Sequence, residues 1–138
     1  MNFVIGMAPK PQSRPRFTSK GSSRAYEKAD MKAYKRALAY KVMAQKPECI
    51  EKGTVAIEIR FFIYPPAYIL KVKKNRQALE NETMFVNKKP DLDNYFKAVT
   101  DAVNGILYKD DGQISLIKTY KVYSLKPRTE IIIAEMKQ

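Results

Sequence analysis

Hydrophobic and polar positions alternate in four stretches of the chain, and each predicts a β-strand. The apolar residues 1–6 form a short first strand. Residues 55–63 carry hydrophobic side chains at every second position around Glu58 and Arg60, which is typical of a strand with one buried face, and two prolines follow it. Residues 114–125 and 129–136 alternate similarly, and the short segment between them predicts a hairpin.

Helical spacing predicts helices over residues 26–46 and 92–107, and residues 67–80 between them are also expected to be helical, which gives three helices. The third is the most amphipathic, because its apolar side chains recur on one face and a polar stripe runs along the other. The polar stripe consists of Asp93, Lys97, Asp101 and Asn104. The order β-α-β-α-α-β-β predicts one α+β domain over residues 1–138, with helices packed on a single mixed β-sheet.

Composition places the chain among folded proteins that act in a reducing compartment. Its 138 residues are 45% hydrophobic, enough for a single domain with a substantial core. No apolar run approaches the roughly 20 residues that span a bilayer, and the first strand is too short for a signal peptide. One cysteine, Cys49, excludes an internal disulfide. We therefore expect a cytoplasmic protein without a membrane partner.

The charge of the chain and its lack of histidine reduce the number of function classes that fit. The net charge of +12 favours a polyanionic partner such as nucleic acid, although a generally basic protein is the alternative. The basic loop of residues 8–24 contains Arg14, Arg16 and Lys20 around an aromatic residue, a pattern suited to gripping phosphates; a solvated loop is its alternative. Because the chain has no histidine, acid–base chemistry would depend on carboxylates, lysine or metal-bound water.

Two aspartate pairs are the candidate metal ligands. Asp91 and Asp93 begin the third helix, and Asp110 and Asp111 lie in the turn after it. Grouped carboxylates repel each other unless a cation neutralises them, and oxygen ligands favour Mg²⁺ or Mn²⁺. The alternative is structural, with Asp91 as a helix cap, Asp93 paired with Lys97, and a turn at 110–112. The helix spans roughly 20 Å, so the two pairs meet only through another element or a second chain.

Three segments in order resemble the RusA family of Holliday junction resolvases over essentially the whole chain. They are Arg14-Pro15-Arg16-Phe17-Thr18, Lys89-Pro90-Asp91-Leu92-Asp93-Asn94 with Lys97 and Asp101-Ala102, and Tyr108-Lys109-Asp110-Asp111-Gly112-Gln113-Ile114. Mild departures are Gly112 and a longer stretch over residues 67–88.

The resemblance implies that Asp91 and Asp93 bind Mg²⁺, that Asp111 is essential, and that Lys97 lies near the scissile phosphate. It assigns Asp110 to the metal site more weakly, and it implies a homodimer. The catalytic set is thus Asp91, Asp93, Lys97 and Asp111. The metal set is Asp91, Asp93, Asp110 and Asp111. The DNA-contacting set is Arg14, Arg16, Lys20, Lys97 and Lys118.

The expected function is a bacterial or phage Mg²⁺-dependent endonuclease, with Mn²⁺ as a substitute ion and no organic cofactor. It would resolve four-way DNA junctions by paired symmetric nicks in recombination and repair. Two alternatives remain open at this stage. The chain could be a non-catalytic nucleic-acid-binding protein, or a metal nuclease for another branched or flap DNA.

Overall fold

The computed structural model describes residues 1–12 and 29–137, and these residues form the predicted α+β fold. The strands are β1 (Asn2–Ile5), β2 (Val55–Ile63), β3 (Ile114–Tyr123) and β4 (Arg128–Glu135); the helices are α1 (Ala29–Met43), α2 (Ala67–Leu70), α3 (Arg76–Asn81) and α4 (Leu92–Val103). Short 3₁₀ turns lie at Lys73–Asn75 and Asp111–Gln113. The helix predicted over 67–80 is thus divided into two short helices joined by a 3₁₀ turn.

The four strands form one sheet in the order β1-β4-β2-β3. The sheet is mixed, which confirms that prediction. β4 is antiparallel to both β1 and β2, whereas β2 and β3 are parallel. The predicted hairpin between β3 and β4 is wrong, because β2 lies between them. The connecting segment instead crosses the end of β2, where the Ser124 N–H donates to the Ile63 carbonyl over 2.9 Å. A short connection alone therefore did not establish which strands pair.

The core lies between one face of the sheet and the helices α1 and α4. Alternate residues of β2 and β4 point to this face, as the period of two in a strand requires. From the helices, Leu38, Val42, Val99 and Val103 are fully buried against them. Burying each such aliphatic side chain contributes about 1.5–3 kcal/mol, so α4 is held firmly along the sheet.

The segment before α4 is attached to the end of β3. The Val86 N–H donates to the Lys121 carbonyl (3.0 Å), and the Tyr123 N–H donates to the Met84 carbonyl (2.9 Å). The Arg128 guanidinium reaches both oxygens of Glu82, at 2.7 and 3.0 Å, and lowers the pKa of that carboxyl. These contacts fix the direction in which the chain approaches α4.

None of the helices in residues 29–137 has the length and apolar character needed to cross a membrane.

Candidate functional site

Asp91 precedes α4, but its side chain is not used as a helix cap. Its backbone is extended (φ −65°, ψ 146°), as an N-cap requires, yet its carboxylate accepts no capping hydrogen bond. Both Asp91 and Asp93, two residues later, are exposed. The Asp91 side chain therefore does not act as the hydrogen-bonding cap that the structural alternative requires, and its carboxylate is exposed to solvent.

Lys121 of β3 holds the chain just before Asp91. Its Nζ donates to the carbonyl oxygens of Lys88 (2.6 Å) and Pro90 (2.7 Å). In the β2–β3 ladder Lys121 is opposite Phe61, so its side chain lies on the helix-bearing face of the sheet. This role was missed from the sequence. The signal that marks it is a lysine at a core-facing position of an alternating strand.

The basic loop predicted to bind phosphate starts beside the first turn of α4. The Gln12 N–H donates to the Asn94 carbonyl over 3.0 Å. Gln12 is the last residue of this loop that the structure describes before residue 29, and it lies next to the start of α4. Arg14, Arg16 and Lys20 themselves lie outside the described residues, and their assignment as DNA contacts stays a prediction.

Lys97 and Lys35 both pair with Asp101 on the polar face of α4. The Nζ atoms of the two lysines are 3.2 and 3.3 Å from the Asp101 carboxylate oxygens. The Lys97 side chain is 62% exposed. Because an ion pair at such a surface contributes only about 0–1 kcal/mol, Lys97 can exchange Asp101 for a phosphate at little cost. Lys35, from α1, was not predicted as part of this face.

Asp110 and Gln113 build the turn between α4 and β3. The Asp110 carboxylate accepts from the Gly112 N–H over 3.0 Å, and Gln113 completes a capping box. The Gln113 Oε1 accepts from the N–H groups of Lys109 and Asp110, while its Nε2 donates to the carbonyls of Ile50 and Gly53. The side chain of Asp110 therefore has a structural role in this turn. Its assignment as a metal ligand, which the family resemblance implied only weakly, stays a prediction.

Asp111 is exposed and lies near the buried Tyr108. The Tyr108 hydroxyl donates to the Thr100 carbonyl over 2.8 Å. Burial raises the pKa of Tyr108 strongly, and the negative charges of Asp111, Asp101 and Asp110 raise it further. Asp111 is therefore close to the C-terminal half of α4.

The two aspartate pairs lie at opposite ends of α4 within one chain. Asp91 lies beside Lys121, near the end of β3, whereas Asp111 comes just before β3 begins. The 12 residues of α4 form a helix roughly 18 Å long at about 1.5 Å per residue, and the Tyr108 hydroxyl beside Asp111 contacts Thr100 in the C-terminal half of that helix. Within residues 1–12 and 29–137, no three acidic, cysteine or histidine side chains are grouped so that they could hold a metal ion. One chain does not bring the four predicted ligands together.

Lys118 lies on the other face of the sheet. It is opposite Glu58 in the ladder, and its Nζ is 4.0 Å from the Glu58 carboxylate. It is thus on the face away from α4 and from Asp91, while Lys121, three residues later, is on the same face as α4. Its assignment as a DNA contact stays a prediction. If Lys118 contacts DNA, it does so on the face of the sheet away from α4 and Asp91.

Comparison with known proteins places these segments in a family. Residues 6–134 match the family model described as endodeoxyribonuclease RusA. The chain belongs to the RusA family. The match to RusA covers both aspartate pairs, Lys97 and the segment with Arg14 and Arg16, so the resemblance found in the sequence is confirmed.

Two relatives extend the RusA match. The chain is 33% identical over 137 residues to a protein from Bacillus subtilis (strain 168) named uncharacterized protein YqaN, covering 99% of this chain and 96% of that one. It is 32% identical over 120 residues to the crossover junction endodeoxyribonuclease rusA of Lactococcus phage r1t, covering 85% of this chain and 82% of that one. A phage protein is therefore among its relatives.

Proposed function

We propose that this protein is a divalent-metal-dependent endonuclease that resolves four-way DNA junctions in recombination and repair. Membership of the RusA family and the junction endonuclease of Lactococcus phage r1t support this activity. The observation that carries it for this chain is the Asp91 carboxylate, which is exposed beside Asp93 and takes no part in capping α4. No capping hydrogen bond accounts for that side chain.

The residues at the start of α4 fit Mg²⁺ or Mn²⁺. Both ions prefer oxygen ligands, and Mg²⁺ is usually held by one or two carboxylates, with water and substrate phosphates as its other ligands. Asp91 and Asp93 provide two such carboxylates without requiring a complete cage of protein ligands. Bound there, the ion would supply Lewis-acid charge and a polarised water for phosphodiester hydrolysis.

The side chains around this pair are suited to a DNA strand. Lys97 follows Asp93 by one helical turn and can donate to a phosphate as negative charge develops on it. The described part of the basic loop contacts the first turn of α4, where the Gln12 N–H donates to the Asn94 carbonyl. The net charge of +12 attracts DNA to the protein, while the two aspartates repel a phosphate until a cation is bound. Binding through phosphates would weaken steeply with salt.

A junction with two-fold symmetry is resolved by two nicks on strands of like polarity. A two-fold symmetric homodimer presents two identical centres in the matching relation. We therefore propose that the active form is a homodimer and that its two nicks are paired and symmetric.

A comparison of substrates tests this function. The protein is incubated at fixed salt with a four-way junction, a flap and a linear duplex, each with Mg²⁺, with Mn²⁺ or with EDTA. We expect cutting of the junction with either ion, little cutting of the duplex, and junction binding without cutting in EDTA. Preferred cutting of the flap would change the substrate, and the absence of cutting on all three would contradict the proposal.

Lys121→Met is expected to slow junction cutting by about 10-fold, because it frees the carbonyls of Lys88 and Pro90 and lets the start of α4 shift. The side chain that replaces Lys121 is apolar and of similar length, so the melting temperature should change little. Lys52→Met, at an exposed lysine before β2, is the matched control and should cut normally. Equal cutting by both variants would show that Lys121 does not position Asp91.

A further inference from the structure

Residues 64–75, which we call the arm, follow β2 and are held in shape by local contacts. The Lys71 N–H donates to the Ala67 carbonyl over 3.0 Å. The Asn75 side-chain amide donates to the Ile69 carbonyl over 3.0 Å. Within the described part of the chain, no residue of α2 or of the 3₁₀ turn that follows it is buried. The arm is therefore a preformed surface, and binding to it costs little ordering.

This surface combines aromatic rings with positive charge. Tyr64 and Tyr68 are each 55% exposed. Three lysines are exposed in the same arm, Lys71, Lys73 and Lys74. The chain has no acidic residue over 61–79, and the next one, Glu80, is paired with Arg76. Exposed rings among cations are the features with which proteins hold a single nucleic-acid strand, because the rings stack on bases while the cations contact phosphates.

The arm lies at the same end of the molecule as the start of α4. Burial raises the pKa of Tyr123 in β3, and the neighbouring Tyr68 hydroxyl raises it further, so Tyr68 lies against that strand. Lys121, two residues earlier on the same face of β3, donates to the Pro90 carbonyl. Two strand residues span about 7 Å, which is about two nucleotides of a stacked DNA strand. A strand bound at Asp91 therefore reaches the arm within a few nucleotides.

An unstacked DNA strand suits the arm better than a continuous duplex does. In a duplex each base is covered by its stacked neighbours, whereas an unpaired or branched strand offers a base face to a tyrosine ring. Stacking of this kind tolerates any base sequence. At the branch point of a junction the strands pass from one helix to another, and the stack is interrupted there. The arm thus has the chemistry to recognise a branch rather than a sequence.

We infer that the arm binds the DNA strand beside the cut, with branch-point bases stacked on Tyr64 and Tyr68 and phosphates held by the three lysines. The link to a cut rests on the proposed nuclease function, whereas strand binding by the arm does not. Strand binding is therefore measured in EDTA, without cutting, and the branch-point contact is measured on a junction.

Titration of a short labelled oligo(dT) strand in EDTA tests the stacking. Tyr68→Ala should weaken binding by about 10-fold, the usual order of effect for the loss of one stacking ring. Tyr68→Phe keeps the ring and should bind normally, and a duplex of the same length should bind Tyr68→Ala as it binds the unaltered protein. Tyr40→Ala, at a tyrosine of α1 that is 75% exposed, is the matched control and should bind oligo(dT) normally. Equal binding by Tyr68→Ala and Tyr40→Ala would overturn the inference.

Circular dichroism melts show whether each tyrosine variant is folded at the assay temperature, since Tyr68 also contacts Tyr123. If Tyr68→Ala is unfolded, Tyr64→Ala gives the same comparison at the other ring of the arm, with the same expected result.

The salt dependence of oligo(dT) binding tests the lysines. The combined change Lys71→Gln, Lys73→Gln and Lys74→Gln should lower the slope of log affinity against log salt by about 2, since each phosphate contact with a single strand contributes about 0.7. The control changes three exposed lysines between the last turn of α1 and β2, Lys41, Lys46 and Lys52, and should keep the slope. Equal loss of slope in both variants would show an effect of net charge alone and would contradict the phosphate contacts. Loss of binding to phosphatidylserine vesicles, without loss of oligo(dT) binding, would assign the arm to a membrane surface instead.

Photocrosslinking tests the contact with the branch point. A four-way junction with 5-iododeoxyuridine at the branch point is bound in EDTA, irradiated and digested with trypsin. The crosslinked base should be on the peptide of residues 61–71, which contains both tyrosines of the arm. A crosslink only to other peptides, or none, would overturn the branch-point contact even for a protein that cuts the junction. Failure of the unaltered protein to cut the junction with Mg²⁺, with the crosslink on 61–71, would instead count against the proposed function alone.

Discussion

Asp93→Asn is expected to abolish cutting of a four-way junction while leaving its binding unchanged or tighter. The amide keeps the shape of the side chain but removes the charge that would hold a divalent cation. Loss of a group that acts on the metal or on the developing charge lowers rates by about 10²-fold or more. Binding should not fall, because one negative charge near the phosphates is removed. The measurement is single-turnover cutting with Mg²⁺ beside a gel-shift titration in EDTA.

Asp30→Asn is the matched control for this prediction. Asp30 is also an exposed aspartate in the first turn of a helix, α1, and its ion pair with Lys10 is at the surface. Its loss tests the general effect of removing an acidic group from a helix start. Cutting by Asp30→Asn should stay within about 2-fold of the unaltered rate, since such charges contribute only about 0.3–1 kcal/mol to the helix. If Asp93→Asn cuts normally, or fails to bind, Asp93 has no catalytic role of the proposed kind.

The elements that could be predicted are those with one strongly buried face. β2 and α4 appear within a few residues of their predicted bounds, because burial against a common core imposes a period of two on one and about 3.6 on the other. Residues 67–80 carry no such face, and they form short helices with only Leu79 buried. The hydrophobic pattern of the sequence therefore predicts a helix or strand well only where one face of that element packs against the core.

Strand order could not be predicted in the same way. The residues around Pro127 form a short connection, which indicated a hairpin. The choice between pairing β3 with β4 and placing β2 between them depends on contacts distant in sequence. β2 is buried along its whole helix-facing side, from Val55 to Phe61, and so takes the position with a neighbour on each edge.

In the candidate site, too, local features could be predicted from the sequence and tertiary ones could not. The chemistry of Asp91, Asp93 and Lys97 was visible as residue types at helical spacing. The length of the third helix already indicated that Asp111 would be distant from them, and the structure shows it beside Tyr108 and the C-terminal half of α4. What the sequence could not give is the direction of β3 beside α4, since it arises from tertiary packing.

Gln113→Ala is expected to cause a large loss of stability for the removal of a single polar side chain. The Gln113 amide makes four hydrogen bonds, to the N–H groups of Lys109 and Asp110 and to the carbonyls of Ile50 and Gly53, at 2.8–3.2 Å. With about 0.5–1.5 kcal/mol for each bond, and water replacing part of them, the free energy of unfolding should fall by about 2–3 kcal/mol. The melting temperature should fall by roughly 5–10 °C.

Gln45→Ala separates this effect from the loss of any glutamine. The Gln45 amide makes one exposed hydrogen bond, to the Lys41 carbonyl, so its removal should cost less than about 0.5 kcal/mol. Denaturant unfolding of both variants gives the comparison. Because Gln113 fixes the turn that carries Asp111, Gln113→Ala should also slow junction cutting at temperatures where it is fully folded. A Gln113→Ala protein as stable as Gln45→Ala would mean that the turn is held by the Asp110 cap alone. Normal cutting by a folded but destabilised Gln113→Ala would remove Asp111 from the site.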